Sequence, residues 1–161
     1  MLSWSSTVAG TPADLAAIID RFWRWGAEPL EGGLGLRLHP ARNGAGLSLG
    51  ADLLEIIQPD GPFLVDSIMG ELADGGFSVQ AMFHPVVEVW RDGLGHRLGD
   101  GDAAASPGAV KRRESMILVL LDPVGEDRSH ALTLAVRATL ADVRRESCWD
   151  SRLRHGELRG L

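Results

Sequence analysis

The stretch of sequence that decides the fold is Ile57-Gln58-Pro59-Asp60-Gly61-Pro62-Phe63-Leu64-Val65-Asp66-Ser67-Ile68-Met69-Gly70-Glu71-Leu72. It begins where an apolar run over residues 47–57 ends, and such a run is typical of a strand that is covered on both faces. The Pro-Asp-Gly-Pro segment predicts a turn, in which Asp60 caps the amides of a helix that starts near Pro62. Apolar residues at helical spacing then predict the buried stripe of that helix: Leu64, Val65, Ile68, Met69 and Leu72. The stretch therefore joins a core strand to a core helix.

The residues after this helix predict an interrupted strand and a hairpin. Gly75-Gly76 ends the helix. Residues 77–83 alternate apolar and polar side chains, which predicts a strand with one apolar face. Pro85 cannot donate to a strand ladder, so it interrupts the strand before residues 86–91 continue it. Asp92-Gly93 then predicts a hairpin turn.

A central strand and a long helix complete the predicted core. Residues 115–121 are apolar enough for a central strand, and residues 111–113 are predicted to be a loop before it. Glu126 and Asp127 are predicted to start the helix. Its inward stripe recurs at helical spacing: Leu132, Val136, Thr139, Leu140 and Val143.

The residues before the opening stretch predict a helix and a short strand. Thr11-Pro12-Ala13-Asp14 is typical of a helix start, and Gly26 is predicted to end that helix. A glycine-rich link over residues 31–35 follows. Leucines alternate with polar residues over residues 36–40, which predicts a short strand closed by Pro40.

The order of these elements predicts an α+β domain. Strand–helix–strand–strand–helix is the ferredoxin-like plan, in which helices pack on one face of an antiparallel sheet. The fourth strand of that plan is missing after the last helix, and the early strand is predicted to take its edge of the sheet. We expect an N-terminal helical segment and linker over residues 1–35, the α+β domain over residues 36–147 and a C-terminal tail over residues 148–161.

The composition predicts one globular domain and excludes several classes of protein. A chain of 161 residues can bury a real core, and its net charge of -6 argues against nucleic-acid binding. No apolar run approaches the roughly 20 residues that span a membrane, and no signal peptide is apparent. We therefore expect a cytoplasmic protein without a membrane partner. The one cysteine, Cys148, excludes an internal disulfide.

The sequence predicts no catalytic residue and no metal site. The nearest approach to a dinucleotide-binding fingerprint, at residues 93–99, has its third glycine one place late. The five histidines have no metal-ligand spacing. Four arginines form a possible basic rim, for which a solvated face is favoured over a binding surface: Arg91, Arg97, Arg112 and Arg113.

Four segments carry a family resemblance: residues 60–72, Phe83-His84-Pro85-Val86-Val87, Trp90-Arg91-Asp92-Gly93 and Glu114-Ser115-Met116-Ile117. In that order they resemble the amino-terminal ACT-type region of the large NAD-specific glutamate dehydrogenases of bacteria. The family typically shows Asp-Asp-x-Pro-Phe-Leu-Val-Asp-Ser, and here Pro59-Asp60 stands in place of the paired aspartates. The resemblance covers residues 36–146.

The resemblance implies an ACT-like domain that regulates or assembles an enzyme without catalysing its reaction. The full-length enzyme would oxidise L-glutamate to 2-oxoglutarate and ammonia with NAD, and this chain would hold no cofactor. Catalysis in that class relies on lysines, whereas Lys111 is the only lysine here. The implied partners are the remainder of the dehydrogenase chain, an amino-acid effector and further copies of the chain. The alternatives are a free-standing ACT-like amino-acid-binding regulatory protein and an enzyme in its own right.

The resemblance also implies where an effector would bind. ACT domains commonly bind amino acids at the turn between the first strand and the first helix, where free amides and a positive dipole end attract a carboxylate. The structural alternative for Asp66 and Ser67 is that they only cap or pack. His84 either binds a carboxylate effector or bonds the turn before the helix. The expected effector-binding residues are Asp60, Gly61, Phe63, Asp66, Ser67 and His84.

Overall fold

The computed structural model describes the backbone of residues 10–99 and 101–156, and their side chains up to Arg145 except that of Ala104. Its helices and strands are α1 (Pro12–Trp25), β1 (Gly35–Arg42), β2 (Ser48–Pro59), α2 (Leu64–Asp74), β3 (Val79–Phe83), β4 (Val86–Arg91), β5 (Arg97–Leu98), β6 (Val110–Leu121) and α3 (Glu126–Gly156). Within these described ranges, no helix has both the length and the apolar character that a membrane crossing requires.

The strands form one antiparallel sheet in the order β1-β2-β6-β4-β5. β3 pairs with the carboxyl half of β6 and β4 with its amino half, so β3 and β4 are two parts of one strand that breaks at His84-Pro85. β1 pairs with β2, with Gly35 opposite Ile57. The early strand therefore takes the edge that the ferredoxin-like plan leaves open, and the predicted α+β fold class is confirmed.

Helices cover both faces of the sheet. On one face, Ile68 of α2 and Leu140 of α3 share a core with Ile56 of β2. On the other face, Phe22 of α1 shares a second core with Leu53 of β2. Side chains of β2 thus enter both cores, which explains why its sequence is almost continuously apolar and confirms that the strand is covered on both faces.

The predicted starts of α1 and α3 are confirmed. The Thr11 hydroxyl accepts the amide of Asp14 at 3.2 Å, and the Asp14 carboxylate accepts the amide of Thr11 at 2.8 Å. This reciprocal pair is a capping box. α3 begins at Glu126 and stays helical to Gly156, so the first part of the predicted tail continues the helix. The Cys148 side chain and residues 157–161 lie outside the described residues.

The prediction of one apolar face for residues 77–83 is wrong. The pairing of β3 with β6 shifts between Val79 and Ala81. Val79 and Met82 consequently lie against the α2–α3 core, whereas Phe83 lies against the α1 core. A one-residue bulge has this effect because side chains alternate along a strand with a period of two.

Two strands extend farther than predicted. β6 begins at Val110, so residues 111–113 belong to a strand and not to a loop. They pair with β4, and the Lys111 ammonium lies 2.7 Å from the Glu88 carboxylate on that strand. β1 continues past Pro40 to Arg42 through an irregular pairing with β2. In both cases a neighbouring strand supplies backbone partners that the local sequence does not reveal.

A buried ion pair joins the β4–β5 hairpin to β6 and to the end of α1. The Arg91 and Glu114 side chains meet through two hydrogen bonds, of 2.6 and 2.8 Å. Arg91 is 5% exposed and Glu114 3%. The Arg91 guanidinium also donates to the carbonyls of Gly26 at 2.9 Å and Gly95 at 2.8 Å. Each buried charge is thereby paired and hydrogen-bonded, as burial requires.

The β4–β5 turn depends on the Asp92 carboxylate, which accepts the amides of Leu94 and His96 at 2.9 Å each. Desolvation alone would raise the pKa of Asp92, but these amide bonds outweigh it and hold the pKa below its ordinary value of 3.8. Because the folded-state pKa is lowered, the stabilisation by Asp92 is present above pH 3.8 and is lost as the pH falls through the folded-state value.

Acidification below pH 3.8 is therefore expected to loosen this hairpin. The measurement is the hydrogen exchange of the Leu94 and His96 amides as a function of pH, corrected for intrinsic exchange. Asp92→Asn is the control, because its amide oxygen still accepts both bonds but does not titrate. Equal pH dependence in the two proteins would contradict the prediction.

Candidate functional site

The candidate site is the start of α2, where the backbone is left without a side-chain cap. α2 begins at Leu64, and the residue before it, Phe63, has a left-handed backbone with φ 63° and ψ 7°. No side chain bonds the first amides, so the predicted cap by Asp60 and the predicted start near Pro62 are wrong. The reason is that Asp60 is bonded to β6 instead. The Asp60 amide donates to the Arg113 carbonyl at 2.9 Å.

Two backbone amides at this helix start have no acceptor among the described residues. The first residue whose amide is bonded within the helix is Ser67, which donates to the Phe63 carbonyl at 2.9 Å. Over the described residues, the amides of Val65 and Asp66 have no such bond. Free amides and the positive end of the helix dipole together make this turn suitable for an anionic group.

A series of hydrogen bonds links the break between β3 and β4, strand β6 and the turn. The Ser115 hydroxyl donates to the Asp60 carboxylate at 2.7 Å, and His84 Nε2 lies 3.1 Å from the same hydroxyl. Since a hydroxyl has one hydrogen, which Ser115 gives to Asp60, His84 Nε2 is the donor in the second contact. Arg113 holds the other oxygen of Asp60 at 3.1 Å.

The order of the three side chains in this series of hydrogen bonds decides what chemistry they can perform. In a nucleophilic triad the histidine stands between the serine and the carboxylate and removes the serine proton. Here Ser115 stands between His84 and Asp60 and gives its proton to the carboxylate directly. The arrangement therefore positions the turn and does not activate a nucleophile. The structural alternative for His84 was a bond to the turn itself, whereas His84 bonds Ser115 of β6, which in turn bonds Asp60. An effector-binding role for His84 stays a prediction.

The remaining predicted site residues lie around the same turn but have different surroundings. Gly61 lies in the turn, Phe63 is 70% exposed, Asp66 is exposed and Ser67 is half-buried. Among the described residues, the Asp66 side chain has no hydrogen bond or ion pair. A large aromatic side chain in a left-handed backbone conformation costs about 1–3 kcal/mol, and such strain occurs most often at functional sites.

One polar residue beside the site was missed by the sequence interpretation. Gln58 is the partner of Ser115 in the β2–β6 pairing and is 1% exposed. Its Oε1 atom has no hydrogen-bond donor within the described structure. An unpaired buried acceptor costs about 1–3 kcal/mol. The available signal was a glutamine at the end of an apolar run, two residues before Asp60.

The four arginines of the possible basic rim do not form one face, since Arg112 and Arg113 are exposed but Arg91 is buried. Arg91 is buried in its ion pair, and Arg97 stacks on the Trp23 ring at 3.4 Å. Burial lowers the pKa of Arg97. Arg113 is bonded to Asp60. Within the described ranges, no group of three or more histidine, cysteine, aspartate or glutamate side chains is arranged to hold a metal ion.

Comparison with known proteins gives one match. The family model described as "Glutamate dehydrogenase, ACT1 domain" matches residues 2–135, which is most of the chain. No curated protein and no solved structure matches. The matched range includes α1, every strand of the sheet and the start of α2.

Proposed function

Because this chain belongs to the ACT1 domain family of glutamate dehydrogenases, we propose that it is the non-catalytic regulatory and assembly domain of an NAD-dependent member. In this proposal the enzyme oxidises L-glutamate in the cytoplasm, and its catalytic and NAD-binding residues belong to other segments. The observation that carries the regulatory role is the uncapped start of α2, where the amides of Val65 and Asp66 are free.

The effector that suits this site is an amino acid, because the turn can bind both its negative carboxylate and its positive ammonium group. Its carboxylate would accept the free amides of Val65 and Asp66. Its ammonium group would meet the Asp66 carboxylate, which is exposed and unpaired within the described structure. The exposed Phe63 ring offers an apolar surface to its side chain. Asp60 and His84 would act through Ser115, by fixing the turn.

Regulation requires that the effector bind two states of the enzyme with different affinity. A turn that is held mainly through Asp60 and contains a strained residue is a suitable element for this, since ligand contacts can shift its conformation. The same exposed surface would contact the remainder of the enzyme or another copy of the chain. The assembly role rests on that surface, which includes Phe63.

The test is the steady-state rate of the full-length dehydrogenase that contains this domain. Glutamate is held below saturation while other L-amino acids are added. We expect an amino acid to change the rate in the wild type and to lose its effect in Asp66→Asn. Asp74→Asn is the matched control, because Asp74 is an exposed aspartate at the other end of α2. An effect that persists unchanged in Asp66→Asn would contradict the proposed site.

A further inference from the structure

A cleft of about 540 Å³ lies between α1 and β1, on the sheet face opposite the α2 turn. Its walls carry five basic side chains, two from α1 and three from β1: Arg21, Arg24, Arg37, His39 and Arg42. Its floor contains Glu55 of β2. The volume is in the range of small-molecule sites, which is about 300–1,000 Å³.

The cleft concentrates positive charge in an acidic protein. Four guanidinium groups and one carboxylate, that of Glu55, line the cleft, and Arg24 is paired with Asp20 outside this lining at 3.1 Å. The chain as a whole has a net charge of -6. Arg21 and Arg42 have no carboxylate partner among the described residues, so the cleft keeps a positive charge that attracts an anion.

Two of the arginines are held in place by the fold. Arg37 lies over the Trp25 ring at 4.1 Å, and its Nε bonds the carboxylate of Glu55, which is 1% exposed. Arg21 donates to the backbone carbonyls of Arg42 and Asn43. The guanidinium groups are therefore positioned before any ligand arrives, which lowers the entropic cost of binding.

These groups keep hydrogen-bond donors for a ligand. Within the described structure, the two terminal nitrogens of Arg37 have no acceptor. Arg42 bonds the Gly46 carbonyl through Nη1 at 2.9 Å and leaves Nη2 without a partner in the same described ranges. A planar guanidinium with free donors at a fixed position is the group that recognises carboxylates and phosphates by paired hydrogen bonds.

We propose that this cleft binds a small oxyanion with at least two negative charges, either a phosphate-bearing compound or a polycarboxylate. The ligand would accept from Arg37 and Arg42 and lie against Arg24. This site is separate from the start of α2, which lies on the other side of the sheet. The start of α2 is proposed to bind a molecule with one carboxylate and one ammonium group.

The test is calorimetric titration of the 161-residue protein with inorganic pyrophosphate and, in a separate arm, with succinate. Sodium chloride at the same ionic strength is the blank. Arg24→Gln/Arg42→Gln is the test variant, since it spares Arg37 and its bond to the buried Glu55. Arg112→Gln is the matched control, because Arg112 is an exposed arginine of β6 that does not line the cleft. Circular dichroism checks that each variant is folded.

We expect saturable binding of at least one anion at millimolar concentration or below. Loss of the Arg42 hydrogen bond and of the neighbouring Arg24 charge should weaken it by roughly tenfold or more in the double variant. Arg112→Gln and Asp66→Asn should bind as the wild type does. Binding of pyrophosphate alone identifies a phosphate-bearing ligand, and binding of succinate alone identifies a polycarboxylate. Heats equal to the sodium chloride blank in both arms, or equal weakening by Arg112→Gln, would overturn the proposal.

Discussion

Replacing Arg91 by alanine is expected to lower the free energy of unfolding by about 3–5 kcal/mol. The change leaves the Glu114 carboxylate buried without its partner. It also removes the donors to the carbonyls of Gly26 and Gly95, so the end of α1 and the β4–β5 hairpin lose their common anchor. At about 3 °C for each kcal/mol in a domain of this size, the melting temperature should fall by roughly 10 °C.

The measurement is chemical denaturation of both proteins, followed by circular dichroism. Arg112→Ala is the control for the change in charge, because Arg112 is an exposed arginine of β6, the strand that pairs with β4. Its expected effect is within about 0.5 kcal/mol, as is usual for surface substitutions. If Arg91→Ala destabilised the protein no more than Arg112→Ala does, the buried ion pair would not anchor these elements.

The second large effect is expected for Leu140→Ala in α3. The Leu140 side chain is fully buried in the core that α2 and α3 form with the sheet. Truncating it removes apolar contacts and leaves a cavity, which costs about 2–5 kcal/mol for leucine. The loss of stability is largest if the strands that pack against α3 cannot move into the cavity and fill it.

Leu134→Ala is the matched control for this prediction, since it is the same substitution in the same helix. Leu134 is 53% exposed. Its replacement should change the free energy of unfolding by about 0.5 kcal/mol or less. Denaturation curves of the two variants measure the difference directly. Equal effects would mean that α3 does not pack on the sheet through the face that contains Leu140.

The sequence predicts those parts of the fold that depend on local patterns. The apolar run of β2 and the spacing of Ile68 and Leu72 in α2 predict the strand–helix unit, and both residues are buried. The edge position of β1 follows from the number of strands that the ferredoxin-like plan requires. The strand–helix unit can be predicted from one segment alone, and the position of β1 from the number of strands alone.

The features that sequence analysis misses depend on contacts between distant segments. The bulge after Val79 appears only when β3 is paired with β6. Asp60 suits a helix cap by its position, but the Ser115 hydroxyl, far along the chain, competes for its carboxylate. The arginine cleft likewise forms only because α1 packs beside β1. All three features depend on tertiary packing, about which local residue propensities carry no information.

The central claim is that the start of α2 binds an amino-acid effector, and amide chemical shifts test it most directly. The isotopically labelled protein is titrated with individual L-amino acids, and the amide signals are followed by NMR. At least one amino acid is expected to shift the Val65 and Asp66 signals to saturation in the wild type and in Asp74→Asn, and much less in Asp66→Asn. Signals of α2 that stay unchanged with every amino acid would contradict the claim.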